Sequence, residues 1–146
     1  MNDYVDFQRL GIGESLPLLI KDPITKIQLV RYAGASGDFN PLHTDDAFAK
    51  KAGLRGVIAH GPLIMGFVGQ AVCRWIPKRS LKRLKVRFMG MTYPGDQIRI
   101  IGRVLEKREE EDRLTTLCEV FAEDDKGERK VSGEFEAVQP LKDLSR

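Results

Sequence analysis

The chain holds only two histidines, and both stand in turns: His43 closes the heptapeptide GDFNPLH, Gly37 to His43, and His60 falls in AHGP. Three groups from these stretches can converge on one reacting molecule: the Asp38 carboxylate, the His43 imidazole, and the backbone N–H groups that open a helix near Gly61. Water is a poor nucleophile, so its addition to a conjugated double bond needs a base to take its proton and an acid to return one to carbon. If the double bond is conjugated with a thioester, charge builds on the thioester oxygen, where N–H groups at a helix start can meet it. A glycine at that place lets the substrate approach closely. A carboxylate, an imidazole and amide donors therefore suit reversible hydration of an α,β-unsaturated thioester. His60, just before Gly-Pro, suits orienting the helix entry better than direct proton transfer.

Each of these residues also has an ordinary reading. Asp38 and Asn40 are common turn residues that bond their own backbone, and Pro41 punctuates turns. Tyr32, Phe39 and Trp75 fit the core or its rim. What decides between the readings is what holds them. Residues 24–33, ITKIQLVRYA, carry apolar positions at Ile24, Ile27 and Val30 and predict a short helix, or a strand passing into one. ASGDFNPLH is turn chemistry throughout, with Pro41 biasing Asn40 toward extended backbone. Thr44 is expected to cap a helix over DDAFAKKAG, which has acids in its first turn, lysines in its last and Gly53 at its end.

The segment GPLIMGFVGQAVCRWI, Gly61 to Ile76, is apolar on nearly every side until Arg74 and predicts a helix enclosed by other structure. Pro62 suits its first turn and Pro77 its end. It is shorter than the roughly 20 residues needed to cross a bilayer, so no membrane span is expected. The period then switches to two at Leu84, Val86 and Phe88, marking a strand. YPGDQ turns the chain, and IRIIGRVLEK, LTTLCEVFAE and RKVSGEFEAV follow between charged, turn-rich tips, so the last half reads as an antiparallel meander. One apolar helix followed by such strands predicts an α+β fold with the sheet wrapped around the helix.

The string YAGASGDFNPLHTDDAFAKKAG followed by IAHGPLIMG resembles the MaoC-like family of R-specific enoyl-CoA hydratases and 3-hydroxyacyl dehydratases. The likeness covers roughly residues 24–76; the strand half is similar only in pattern. It implies a hot-dog fold, in which an antiparallel sheet wraps one long central helix, here over Pro62 to Ile76. It implies further that Asp38 and His43 are the catalytic pair, that Asn40 shapes the loop and contacts the reacting end, and that Gly61 supplies the donor to the thioester oxygen, with His60 beside it in the substrate-binding set. Short-chain hydratases of the family carry a serine where this chain has Gly66. The HGPLIMG form is similar to dehydratase subunits of fatty-acid elongation, which pair with a silent hot-dog partner. A homodimer, or a heterodimer with a paralogous hot-dog subunit, is therefore expected. The substrate itself would carry coenzyme A or the phosphopantetheine of an acyl carrier protein, and no separate cofactor is implied.

RWIPKRSLKRLKVRF, Arg74 to Phe88, holds seven basic residues and no acid. It reads either as a solvated strand face or as a landing place for carrier phosphates, with Lys82, Arg83, Lys85 and Arg87 as candidates. Nucleic acid is a distant third, because recognised motifs and aromatic platforms are lacking and a net charge of +3 is modest. A length of 146 residues suits one domain over 1–146. Cys73 and Cys118 lack disulfide or zinc spacing, and two histidines with two scattered cysteines make no conventional metal site. The N-terminus lacks a basic cap on an apolar run, so the cytoplasm is the expected compartment. Two other functions stay open. A hot-dog thioesterase would place a carboxylate on or near the central helix, yet Gly61 to Arg74 contains none. A non-catalytic acyl-thioester-binding subunit would have no use for an intact Asp38 and His43.

Overall fold

The structure, a computed structural model, describes residues 4–141. In chain order the elements are β1 (Leu19–Ile20), α1 (Lys26–Ser36), a 3₁₀ turn (Pro41–His43), α2 (Asp46–Lys51), α3 (Gly61–Trp75), a second 3₁₀ turn (Lys78–Ser80), β2 (Leu81–Phe88), β3 (Arg99–Glu110), β4 (Arg113–Glu123) and β5 (Arg129–Pro140). The five strands form one antiparallel sheet in the order β1-β3-β4-β5-β2. This is the expected α+β hot-dog arrangement, with α3 laid along the sheet.

The expected meander holds for β3, β4 and β5 only. Strand β2 lies beyond β5 and not beside β3. YPGDQ is not a hairpin tip; it is a turn within a longer strap, residues 89–98, that carries the chain from one edge of the sheet toward the other. The strap runs beside the segment before α3, where Ala59 N–H donates to Thr92 O at 2.8 Å, and then beside Ile24, whose N–H donates to Asp96 O at 3.0 Å. The two sheet edges differ. β1 is two residues long, whereas β2 runs from Leu81 to Phe88 and, among the described residues, pairs on its β5 side alone.

Helix α3 is amphipathic and not enclosed all round. Ile64, Phe67, Val68, Ala71, Val72 and Trp75 face the sheet and are buried, while Pro62, Met65, Gly66, Gln70 and Arg74 form an open stripe. The buried side meets Ile100, Val104, Cys118, Val120 and Phe135 in one core cluster, and the Trp75 and Phe135 rings lie 5.9 Å apart. Full burial of each large apolar side chain contributes about 1.5–3 kcal/mol, so this stripe fixes the helix on the sheet. Trp75 also donates its indole N–H to Pro17 O at 2.8 Å.

Candidate active site

The loop that carries Asp38 and His43 is built by three successive caps. Thr25 caps α1 by accepting from Gln28 N–H at 3.1 Å, and Gly37, at φ 75°, ends that helix in the left-handed conformation that glycine adopts freely. The turn sends Asp38 away from the helix axis. Asn40 then caps the 3₁₀ turn, its Oδ1 accepting from Leu42 N–H at 3.1 Å, which gives this residue the loop-shaping place expected for it. The cap of α2 differs from expectation. Asp45, not Thr44, accepts from Ala47 and Phe48 N–H, because the 3₁₀ turn uses Thr44 to close itself, Thr44 N–H donating to Pro41 O.

The 3₁₀ turn delivers His43 with its side chain largely buried, and Nδ1 lies 2.7 Å from Ile58 O. A carbonyl only accepts, so Nδ1 carries a proton, and in the neutral ring Nε2 is the nitrogen with the lone pair. That Nε2 stands 3.7 Å from Asp38 Oδ2. The gap exceeds a direct hydrogen bond of 2.7–3.2 Å and leaves room for a water oxygen ~2.8 Å from both. Asp38 is half exposed, and its other oxygen, Oδ1, accepts from Asn40 N–H at 3.2 Å. The carboxylate is thus held at one oxygen and open at the other.

His60, expected among the substrate-binding groups, is 1% exposed and lies underneath the pair. Its Nε2–H donates to the Asp38 carbonyl at 3.1 Å, and its ring stacks on His43 with centroids 3.7 Å apart and planes 24° apart. The His60 ring also meets Tyr32, with centroids 4.8 Å apart and planes tilted by 56°. Burial, first of all, pushes the His60 pKa below its ordinary value, with the neighbouring His43 acting the same way, against the smaller opposing pull of the Asp38 carbonyl and charge. A neutral ring here matters. A cation 3.7 Å under His43 would oppose a proton arriving there. His60 thus supports Asp38 by a hydrogen bond and His43 by stacking, with almost none of its own surface exposed.

One potential ligand atom from each of Asp38, His43 and His60 lies within 4.8 Å of the others, a spacing a metal ion could use. The stacking works against it. Lone pairs lie in the ring planes, so two nearly parallel imidazoles cannot aim at one ion, and the His60 Nε2 hydrogen already serves Asp38.

Gly61 opens α3 directly after His60, and its N–H makes no hydrogen bond among the described residues. Pro62 has no N–H, and Leu63 N–H is spent on His60 O at 3.1 Å. The Gly61 N–H is therefore the free donor of the first turn, at the positive end of the helix dipole. A Cβ at Gly61 would lie 3.2 Å from the Phe88 ring, so the end of β2 packs on this corner. That fixes where the basic residues stand. Lys82 and Arg83 begin β2, the end away from Phe88. Arg83 faces Glu136 and Lys85 faces Glu134 across the sheet, whereas Arg87, nearest the site, faces uncharged Ser132. The four candidates for carrier phosphates are thus strung along β2, with Arg87 nearest Gly61.

Sequence reasoning missed two parts of the site. The Ile58 carbonyl that sets the His43 tautomer is backbone, which no side-chain pattern announces. Tyr32 was read as a core or rim aromatic, and it is half-buried against His60.

A family model described as "MaoC like domain" matches residues 9–123. The peroxisomal hydratase-dehydrogenase-epimerase of Neurospora crassa is 38% identical over 86 residues, which are 56% of this chain and 9% of that protein. The peroxisomal enoyl-CoA hydratase 2 of Arabidopsis thaliana is 32% identical over 90 residues, 60% of this chain and 29% of that one. The chain thus spans less than a third of either curated relative. Among solved structures, the (R)-hydratase from A. caviae involved in PHA biosynthesis superposes with a TM-score of 0.72 at 26% identity, covering 90% of this chain and 98% of that one. With the family model matching well over half of its length, the chain belongs to the MaoC-like domain family.

Proposed function

We propose that the chain catalyses the reversible hydration of trans-2-enoyl thioesters, and in reverse the dehydration of R-3-hydroxyacyl thioesters, as part of fatty-acid metabolism. The observation that carries this reading is His43 Nε2, with Nδ1 tied to the Ile58 carbonyl, facing the open oxygen of Asp38 at 3.7 Å, above a His60 ring that is followed directly by a helix start with a free N–H. Relatives named hydratases support it. A water held between Asp38 and His43 gives a proton to one of them as its oxygen attacks C3. Charge moving onto the thioester oxygen meets the Gly61 N–H, and a proton returns to C2 on the same face. The reaction so drawn uses no metal and no organic cofactor beyond the carrier on the substrate.

The carrier is coenzyme A or an acyl carrier protein, with Arg87 the best placed of the β2 cations for its phosphates. A second hot-dog subunit, identical or paralogous, fits the long β2 edge, where Phe88, Met89 and Met91 stand about half exposed. A solved complex titled ChsH1-ChsH2 from Mycobacterium tuberculosis superposes with a TM-score of 0.71 at 21% identity, a likeness of fold. The cytoplasm is the compartment we propose; among the described residues no helix is long and apolar enough to cross a membrane.

The test is loss of the conjugated enoyl absorbance of crotonyl-CoA, followed together with release of free thiol. Absorbance loss without thiol, falling at least ~100-fold in both Asp38→Asn and His43→Gln, is the expected result. Thiol release would instead mark a thioesterase, and silence in both assays a binding subunit.

A further inference from the structure

Outside the catalytic loop, the strongest concentration of buried charge is at Lys130. This residue is 2% exposed, and its Nζ donates to Met91 O at 2.8 Å while lying 3.3 Å from Asp124 Oδ2, 3.3 Å from Glu128 Oε2 and 3.9 Å from Asp96 Oδ2. Three ammonium hydrogens thus have three near acceptors, with Asp96 behind them. Asp124, also buried, accepts from Lys126 and Glu128 N–H at 2.9 Å each and has its pKa held below the ordinary carboxylate value: these N–H groups and the Lys130 cation outweigh the burial that alone would raise it. Stability is a poor account of such a group. Taking an ammonium and a carboxylate out of water costs about what their attraction returns, and apolar residues of the same volume often serve as well. What a buried, fully paired cation does supply is a fixed position for everything bonded to it.

The partners of Lys130 tie the turn between β4 and β5, through Asp124 and Glu128, to the strap of residues 89–98. The Lys130 side chain holds Met91 O, and its backbone O accepts from Met89 N–H at 2.9 Å and Gly90 N–H at 3.4 Å. Asp96 in turn accepts from Tyr93 N–H at 2.8 Å. Next to Met91, Thr92 O receives the Ala59 N–H at 2.8 Å, and the strap begins directly after Phe88, whose ring sits on Gly61. One contact therefore runs from the strap to Ala59, and one from Phe88, the residue to which the strap is joined, to Gly61, on either side of His60. We propose that Lys130 is a positioning residue for the hydratase reaction: by clamping the strap it sets the Ala59–His60–Gly61 turn, and so the aim of the Gly61 N–H at the thioester oxygen.

This inference rests on the proposed activity, and the experiment separates the two. kcat and KM for crotonyl-CoA are measured for the parent, Lys130→Met, Lys130→Arg and Gly90→Ala, with thermal midpoints and amide exchange at Ala59. Gly90→Ala tests the clamp without stranding a charge, since its Cβ would meet the Arg129 carbonyl oxygen at 2.9 Å and push the strap off β5. Deleting one oxyanion donor costs about 10²–10³-fold in kcat, so misaiming it should cost ~10–100-fold, with KM little changed because the lost contact belongs to the transition state. Lys130→Arg should recover kcat to within ~3-fold of the parent, and Ala59 exchange should quicken in Lys130→Met and Gly90→Ala. A folded Lys130→Met or Gly90→Ala with the parent's kcat and Ala59 protection would overturn the proposal. Should Lys130→Met fail to fold, Gly90→Ala decides. An inactive parent would sink the hydratase reading, and the exchange measurement would still judge the clamp.

Discussion

Replacing His60 by phenylalanine isolates what this buried ring contributes. The aromatic surface is kept, so contact with His43 at 3.7 Å and Tyr32 at 4.8 Å survives. One hydrogen bond is lost, Nε2–H to Asp38 O, which is worth about 0.5–1.5 kcal/mol net. One unfavourable feature goes with it: His60 Nδ1 is buried without a partner, and burying such an atom costs about 1–3 kcal/mol. The two nearly cancel, so the thermal midpoint at pH 7.5 should move by no more than ~4 °C, at roughly 2–4 °C per kcal/mol for a chain of this size. Activity should not be spared. Asp38 is half exposed and loses its tie from below, and ångström-scale misplacement of a reacting group costs on the order of 10²-fold in kcat. Acid adds a second signature. Because burial lowers the His60 pKa in the folded chain, the unfolded chain binds a proton that the folded one refuses once pH drops below the ordinary value of 6.5. The stability His60 supplies above that pH is lost as pH falls, and phenylalanine has no proton to take up. His60→Phe should therefore gain on the parent in thermal midpoint between pH 7 and pH 5. A variant that keeps kcat within ~3-fold of the parent, or whose midpoint tracks the parent's across that range, would refute the positioning role.

Other substitutions test other parts of the structure. Gly133→Ala would put a Cβ 2.0 Å from the Lys85 carbonyl oxygen, so β2 must move off β5; a loss of ~3 kcal/mol or more is expected, read as a fall of roughly 6–12 °C in thermal midpoint. Arg87→Glu should raise KM for a CoA substrate at low salt by several-fold more than Arg83→Glu does, since Arg83 already faces Glu136, and high salt should erase the difference.

How much of this was legible in the sequence depended on where each signal resides. Asp38 and His43 announced themselves because reactive side chains in a turn of fixed spacing are few, and the helix start at Gly61 because glycine and proline fix backbone directly. Asn40 was legible as a loop former for the same reason. The burial of His60 was hidden: nothing in AHGP tells whether its ring faces a substrate or the underside of its neighbour, and only the α1 packing that brings Tyr32 against it decides. The α2 cap moved by one residue because the 3₁₀ turn claimed Thr44 first. The place of β2 was illegible for a topological reason, since a strand's alternation fixes its faces and not its neighbours. Helix α3 looked apolar nearly all round because the first half of its open stripe is Pro62, Met65 and Gly66, residues that carry no polar mark, and only Gln70 and Arg74 reveal the face. β1, at two residues, is too short to leave any period.

The inequality of the two sheet margins limits how far chains of this kind can join. Among the described residues the outer side of β2 is one unbroken row of amides, whereas the opposite border is interrupted by β1 and by the Ser15–Arg103 bridge, which makes β2 the readier place to accept a like neighbour. If two copies join there about a two-fold axis, both long rows are consumed at once and that joining ends in a closed pair.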